Sequence, residues 1–219
     1  MTIQPFSPVD GLEDTYIGRA AKLNCFAFRL KDGSLCLYSP VAGLETAARD
    51  SLAELGEVSM ILAPNHYHNK GLTGHAAAFP NASLICSKDA EPRLKKITGL
   101  TFDPLDTLKA QLADNQKILE PKGLKTGEVW IEVKTRSEIA LIVTDAFSAK
   151  LHAPGVLADA PSMLGTFPRY GVKDASVFKD WANTQLSTDR PTILLSCHGS
   201  PVTAPDLGTQ LISVLADAV

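Results

Sequence analysis

Val58-Ser59-Met60-Ile61-Leu62-Ala63-Pro64-Asn65-His66-Tyr67-His68-Asn69-Lys70 is the stretch that decides the fold. Val58 to Ala63 is a short apolar run, as expected of a strand buried on both faces. Two histidines one residue apart follow directly on it. In an extended segment that spacing turns both side chains to one side. Neutral imidazole is a preferred ligand of zinc and iron, and a carboxylate completes such sites. Asn69 and Lys70 interrupt the pattern, because a protonated lysine has donors and no acceptor and does not ligate.

The segments on either side of this run alternate between helix and strand. Residues 44–55 carry helical spacing, with Gly56 as a C-cap. Gly71 to Phe79 reads as a helix stopped by Pro80, and Ser83 to Cys86 as another buried strand. Helix, strand, helix, strand implies parallel pairing in a layered α/β domain. Upstream, Ala20 to Leu30 and Leu35 to Tyr38 read as strands joined by Lys31-Asp32-Gly33-Ser34, in which Asp-Gly is a hairpin signal. Residues 1–15, with Pro5, Pro8 and Gly11, read as an irregular lead-in.

Downstream, residues 89–97 read as helix, and 98–116 fit no single pattern. Strands are expected at Lys117 to Leu119, Val129 to Val133 and Ile139 to Thr144. Helices follow at 174–187 and 205–218, with a strand from Thr192 to Cys197 between them. Residues 152–173, rich in Pro and Gly, form a long irregular segment of the kind that serves as a lid or binding loop. Both halves read β then α, which points to one sandwich domain over residues 1–219.

A formal charge of −3 supplies no basic footprint for nucleic acid. Lys88, Arg93, Lys95 and Lys96 read as the solvated face of one helix. No apolar window approaches the ~18 residues of a membrane span, and no signal peptide is visible. Cys25, Cys36, Cys86 and Cys197 are scattered and form no CxxC pair. They read as reduced, mostly buried thiols of a cytoplasmic protein.

Asp145 and His198 each follow the end of an apolar strand, as His66 and His68 do. In α/β sheets that edge carries the chemistry, because strands fix what the loops present. Each residue alone has a plain structural reading: Asp145 as a cap, His198-Gly199 as a turn. The combination argues for a site of three imidazoles and one carboxylate that holds one metal and leaves a place for water. His75 and His152 read as hydrogen-bonded structural histidines. Cys197 and His198, adjacent on a strand, point to opposite faces, which argues against a cysteine–histidine enzyme.

These residues resemble the metallo-β-lactamase superfamily. Its first signature, HxHxDH, matches His66-Tyr67-His68-Asn69-Lys70. Lys134 to Leu141 resembles the segment of the middle His, Val143 to Phe147 the strand with the bridging Asp, and Leu195 to Gly199 the last His motif. The resemblance runs from about residue 20 to the end. It implies a four-layer αββα sandwich with its site along the shared strand edge. It also implies departures: Asn69 replaces a metal-binding Asp, Lys70 a paired His, and Lys134 the middle His.

Two ammonium groups beside two divalent ions would repel strongly, since unit charges ~4 Å apart interact at about 4 kcal/mol at an effective dielectric of 20. The expectation is therefore one zinc or iron ion on His66, His68, His198 and Asp145, or none. Asp145, Lys70 and Lys134 are assigned to catalysis. Tyr67, Asn69, Arg169 and Tyr170 are assigned to the substrate pocket, with Phe167 on the same loop.

Two functions follow. The first is a hydrolase of a small ester, thioester or lactam, with Lys70 or Lys134 stabilising the developing oxyanion. The second is an inactive binding or regulatory module on the same fold, with lysine charge in place of metal. The partner is a small molecule in either case. Segment 152–173 is a pocket lid or a contact within a homodimer.

Overall fold

The structure, a computed structural model, describes residues 2–219. The chain divides into two compact units, the first ending at Asn115 and the second running from Gln116 to Val219.

The first unit is built on a seven-stranded sheet. Its strands are β1 (Ile3–Val9), β2 (Leu12–Ala20), β3 (Leu23–Arg29), β4 (Leu35–Tyr38), β5 (Val58–Ala63), β6 (Ser83–Cys86) and β7 (Asp103–Pro104), which neighbour one another in that order. β1 to β4 are antiparallel, and β4 to β7 are parallel. Helices α1 (Glu45–Leu52), α2 (Leu72–Ala78) and α3 (Glu91–Thr98) make the crossovers, and α4 (Leu105–Lys109) follows β7. Leu44, Ala48 and Leu52 of the α1 region, Leu72 of α2 and Leu94 of α3 share one core with Leu35, Leu37, Ile61 and Ala63 of the strands.

The expected lead-in is not irregular: from Ile3 onward it forms the β1–β2 hairpin, closed by Asp10-Gly11 between the paired Val9 and Leu12. Gly11 sits at φ 78°, the left-handed conformation such turns ask for. β1 is the edge of the sheet, where Pro5 and Pro8 are tolerated because no outer strand needs their N–H. The ambiguous stretch 98–116 resolves into β7 and α4.

The second unit has a five-stranded sheet in the order β14-β13-β10-β9-β8. These strands are β8 (Gln116–Leu119), β9 (Trp130–Lys134), β10 (Ile139–Val143), β13 (Ile193–Ser196) and β14 (Val202–Thr203). A two-stranded ribbon, β11 (Ser148–Ala149) with β12 (Pro161–Ser162), leads to the one-turn helix α5 (Phe167–Gly171). α6 (Ala175–Asp189) and α7 (Leu207–Ala218) complete the unit. Trp130 anchors its core, with ring centroids 5.6 Å from Phe147, 6.4 Å from Phe178 and 5.2 Å from Trp181.

Among the described residues no helix is long and apolar enough to cross a membrane. All four cysteines are buried thiols. Burial holds the thiols of Cys25, Cys36 and Cys86 well above the ordinary range, so they do not serve as thiolate nucleophiles.

Candidate metal centre

In the first unit, β4, β5 and β6 run parallel and in step, so Tyr38, Ala63 and Cys86 all finish at one edge. The loops that follow carry Ser39, the histidine doublet and the start of α3. The doublet does not lie in an extended strand. Asn65, fully buried, folds it into a bend: its Oδ1 accepts from Tyr67 N at 2.8 Å and from His68 N at 3.0 Å. Asn69 completes the clamp, with its Nδ2 donating to His66 O at 2.8 Å. Asn69 therefore has a structural task in the turn. His66 is buried with its ring 4.4 Å from that of Tyr67, edge to face. Lys70 is exposed at the end of the bend.

His68 Nδ1 lies 2.7 Å from the Oγ of Ser39, a buried residue held at φ 60°. A left-handed backbone at a serine costs about 1–3 kcal/mol and persists where the surroundings demand it. With Nδ1 on Ser39, coordination by His68 would run through Nε2. Behind the bend, Gly71 opens α2 where an added Cβ would meet Pro40 O at 2.3 Å, so only glycine admits this approach.

In the second unit the geometry follows from strand register. β10 and β13 are parallel, with Val143 opposite Ser196. Asp145 and His198 each come two residues after those partners, so the register itself brings them together. His198 Nε2 is 2.9 Å from Asp145 Oδ1, with Asp145 buried and a quarter of the His198 side chain exposed. Ser196 Oγ accepts from His198 N at 3.0 Å and donates to Phe147 O at 2.6 Å, which fixes the turn. Gly199 sits at φ 114°, and a Cβ there would lie 2.0 Å from Ala149 O.

Glu128 was not singled out from the sequence, yet it organises this turn. Its Oε1 accepts from Asp145 N, Ala146 N and Trp130 Nε1 at 3.2, 3.1 and 2.9 Å. The one signal for it in the sequence is an acid next to the apolar start of β9. Ser39 had no signal, since its role depends on a strained backbone.

Lys134 requires a correction. β9 is antiparallel to β10 and pairs Lys134 with Ile139, the end of β10 away from Asp145. Ile139 to Val143 spans roughly 13 Å of strand. Lys134 instead pairs with the buried Glu132 at 3.1 Å. The position that shares the Asp145 end is the start of β9, where the chain has Thr126-Gly127-Glu128 and no histidine. Phe167 is fully buried and Tyr170 packs edge-on against it at 5.7 Å, so Phe167 is core. Arg169 is exposed, with its carbonyl accepting from Lys125 Nζ at 2.8 Å.

The donor set suits a zinc or iron ion. Imidazole nitrogen and carboxylate oxygen are the usual ligands, and neighbouring ligands of a tetrahedral ion with ~2.0 Å bonds lie ~3.3 Å apart. The Asp145–His198 contact is close to that spacing. Within the first unit Ser39 holds the His68 ring, and within the second Glu128 holds the Asp145 backbone, the kind of outer contact that orients metal ligands.

No protein-family model matches the chain, and no curated protein does. Solved structures do. A metal-soaked flavodiiron core from Synechocystis superposes with a TM-score of 0.68 at 13% identity, over 98% of this chain and 61% of the other. A flavodiiron protein variant from Thermotoga maritima gives 0.65 at 15% identity, over 98% and 62%. A metallo-β-lactamase from Hirschia baltica gives 0.64 at 8% identity, over 97% and 98%. The chain thus spans about three-fifths of the flavodiiron structures that it matches. It has the metallo-β-lactamase fold, an αββα sandwich.

Proposed function

We propose that the protein is a metal-dependent hydrolase of a small ester, thioester or lactam. One zinc or iron ion would be held by His66, His68, His198 and Asp145, the ligand set that the sequence resemblance implies. The observation that carries this reading is the Asp145–His198 pair, set at 2.9 Å by strand register on a fold whose solved examples include metal-soaked and metallo-enzymes.

The bound ion would polarise a carbonyl oxygen and acidify a water. Asp145 would keep one carboxylate oxygen for the ion and take the proton of the attacking water on the other, while His198 helps to hold the ion. Lys70, exposed at the end of the histidine bend, supplies the positive charge for the oxyanion that develops. Lys134 has no part in this chemistry. Four reduced, buried thiols support a reducing compartment such as the cytoplasm.

One observation favours the second reading, a binding module without turnover. Asn69 is committed to His66 O, so the position of a second-metal ligand serves the turn instead. Metal analysis of protein purified without chelator separates the two. The hydrolase reading expects about one equivalent of zinc or iron, lost in His68→Ala and His198→Ala. Less than about a tenth of an equivalent under metal-replete conditions would overturn it and leave the module.

A further inference from the structure

Arg93 is exposed like its lysine neighbours, but it makes a contact that they do not. It lies in the first turn of α3, with its guanidinium carbon 4.7 Å from the centre of the Tyr67 ring. Tyr67 is the residue between the two histidines, and its ring touches His66 on the way. The juxtaposition is built into the sheet. β5 and β6 are parallel neighbours, so the loop after β5 and the helix start after β6 meet at one edge.

Two further facts bear on what this arrangement recognises. Among the described residues, Arg93 makes no ion pair or hydrogen bond. Glu91, two positions earlier on the same helix, faces another direction, since residues two apart do not meet. A guanidinium laid on an aromatic ring keeps its N–H donors in the plane, pointing outward as a fork. That fork matches the two oxygens of a carboxylate. The local field adds to it: Lys70 and Lys88 flank the same edge in sequence, and among the described residues neither is engaged by an acid, whereas Lys95 and Lys96 lie in the last turn of the helix.

We infer that Arg93, seated on Tyr67, binds a carboxylate on the substrate and so selects acidic esters over neutral ones. This rests on the hydrolase reading for what happens next, but not for the binding itself. The hydrolase reading left the substrate open among small acyl compounds; the Arg93 fork narrows it to those that carry a free carboxylate besides the scissile bond.

The test uses the full chain and three probes: monomethyl glutarate, methyl butyrate and inorganic phosphate. Binding is followed through the Arg93 Nε–H resonance and by calorimetry, without reliance on turnover. Monomethyl glutarate should shift that resonance saturably, and methyl butyrate should not. Arg93→Gln should weaken monomethyl glutarate by about 10- to 100-fold, the loss of a charged hydrogen-bonded pair. Arg93→Lys should fail to restore it, because a lysine offers a point charge and no fork. Lys96→Gln, a charge change on the same helix, should leave binding intact. Equal binding of the acidic and neutral esters, or an unchanged Arg93→Gln variant, overturns the inference. So does equal loss in Lys96→Gln, or phosphate binding as tightly as the ester, either of which reduces Arg93 to general surface charge. Turnover of neutral esters by a zinc-loaded protein with no such preference would remove this inference alone. Arg93-dependent binding by a protein that takes up no zinc or iron under metal-replete conditions would remove the hydrolase reading alone.

Discussion

His75 is fully buried in α2, with Nδ1 donating to Gly71 O at 3.0 Å and lying 3.9 Å from Glu45 Oε1. Its Nε2 has no partner among the described residues. Burial pulls its pKa below the ordinary 6.5, and the Gly71 carbonyl and Glu45 oppose that only in part. A depressed histidine favours the neutral form in the folded chain. The unfolded chain binds the proton first, so stability is full above pH 6.5 and is lost as pH falls through that value toward the folded pKa. Urea unfolding of wild type and His75→Leu at pH 7.5 and pH 5 checks this: the advantage of wild type over the variant should shrink at pH 5. Ser39, 29 positions from His68 in sequence and 2.7 Å from its ring, separates strain from positioning. Ser39→Gly relieves the φ of 60° yet deletes the Oγ on His68. The variant should hold its stability or gain some, and zinc affinity should fall about 10- to 100-fold, measured by competition with a chromophoric chelator. Zinc affinity equal to wild type would mean that the Oγ contact orients nothing.

The β13 turn shows how much an element can depend on one backbone conformation. Gly199→Ala places a methyl 2.0 Å from Ala149 O and demands a φ of 114° from alanine. A cost of about 1–3 kcal/mol follows from the strain alone, more with the clash, and denaturant midpoints should show it. At this scale the sequence was readable wherever a short-range rule acted. Val58–Ala63 and Ser83–Cys86 were legible as buried strands from their apolar runs, and Asp145 and His198 from their places after strands. The β1–β2 hairpin was hidden because Pro5 and Pro8 hid the edge strand, although Asp10-Gly11 carried the same turn signal as Asp32-Gly33. Lys134 was misplaced because only the antiparallel register of β9 shows which of its ends meets Asp145. Arg93 read as one charge among four, since nothing local says that α3 begins beside Tyr67.

The second unit holds both tryptophans, and the whole molecule's fluorescence therefore reports on its core. Trp130 is fully buried among Phe147, Phe178 and Trp181, and its Nε1 donates to Glu128, the residue that holds the Asp145 turn. Trp130→Phe keeps most of the apolar volume and removes that donor. Truncation to alanine opens a cavity and should cost about 3–5 kcal/mol. Ligand linkage then ties stability to the proposed ion. A metal that binds the folded chain alone stabilises it by about 4 kcal/mol at 1,000 times its dissociation constant. Zinc should thus raise the thermal midpoint followed by tryptophan emission, and a chelator should return it to the metal-free value. In Trp130→Phe the zinc-induced rise should be smaller than in wild type, because the Asp145 turn loses one of the contacts that steady Glu128. In His198→Ala it should vanish while the metal-free midpoint stays near wild type, since that side chain is a quarter exposed and its loss leaves no cavity in the core. A zinc response that survives in His198→Ala would place the ion elsewhere and detach the metal from the register of β10 and β13.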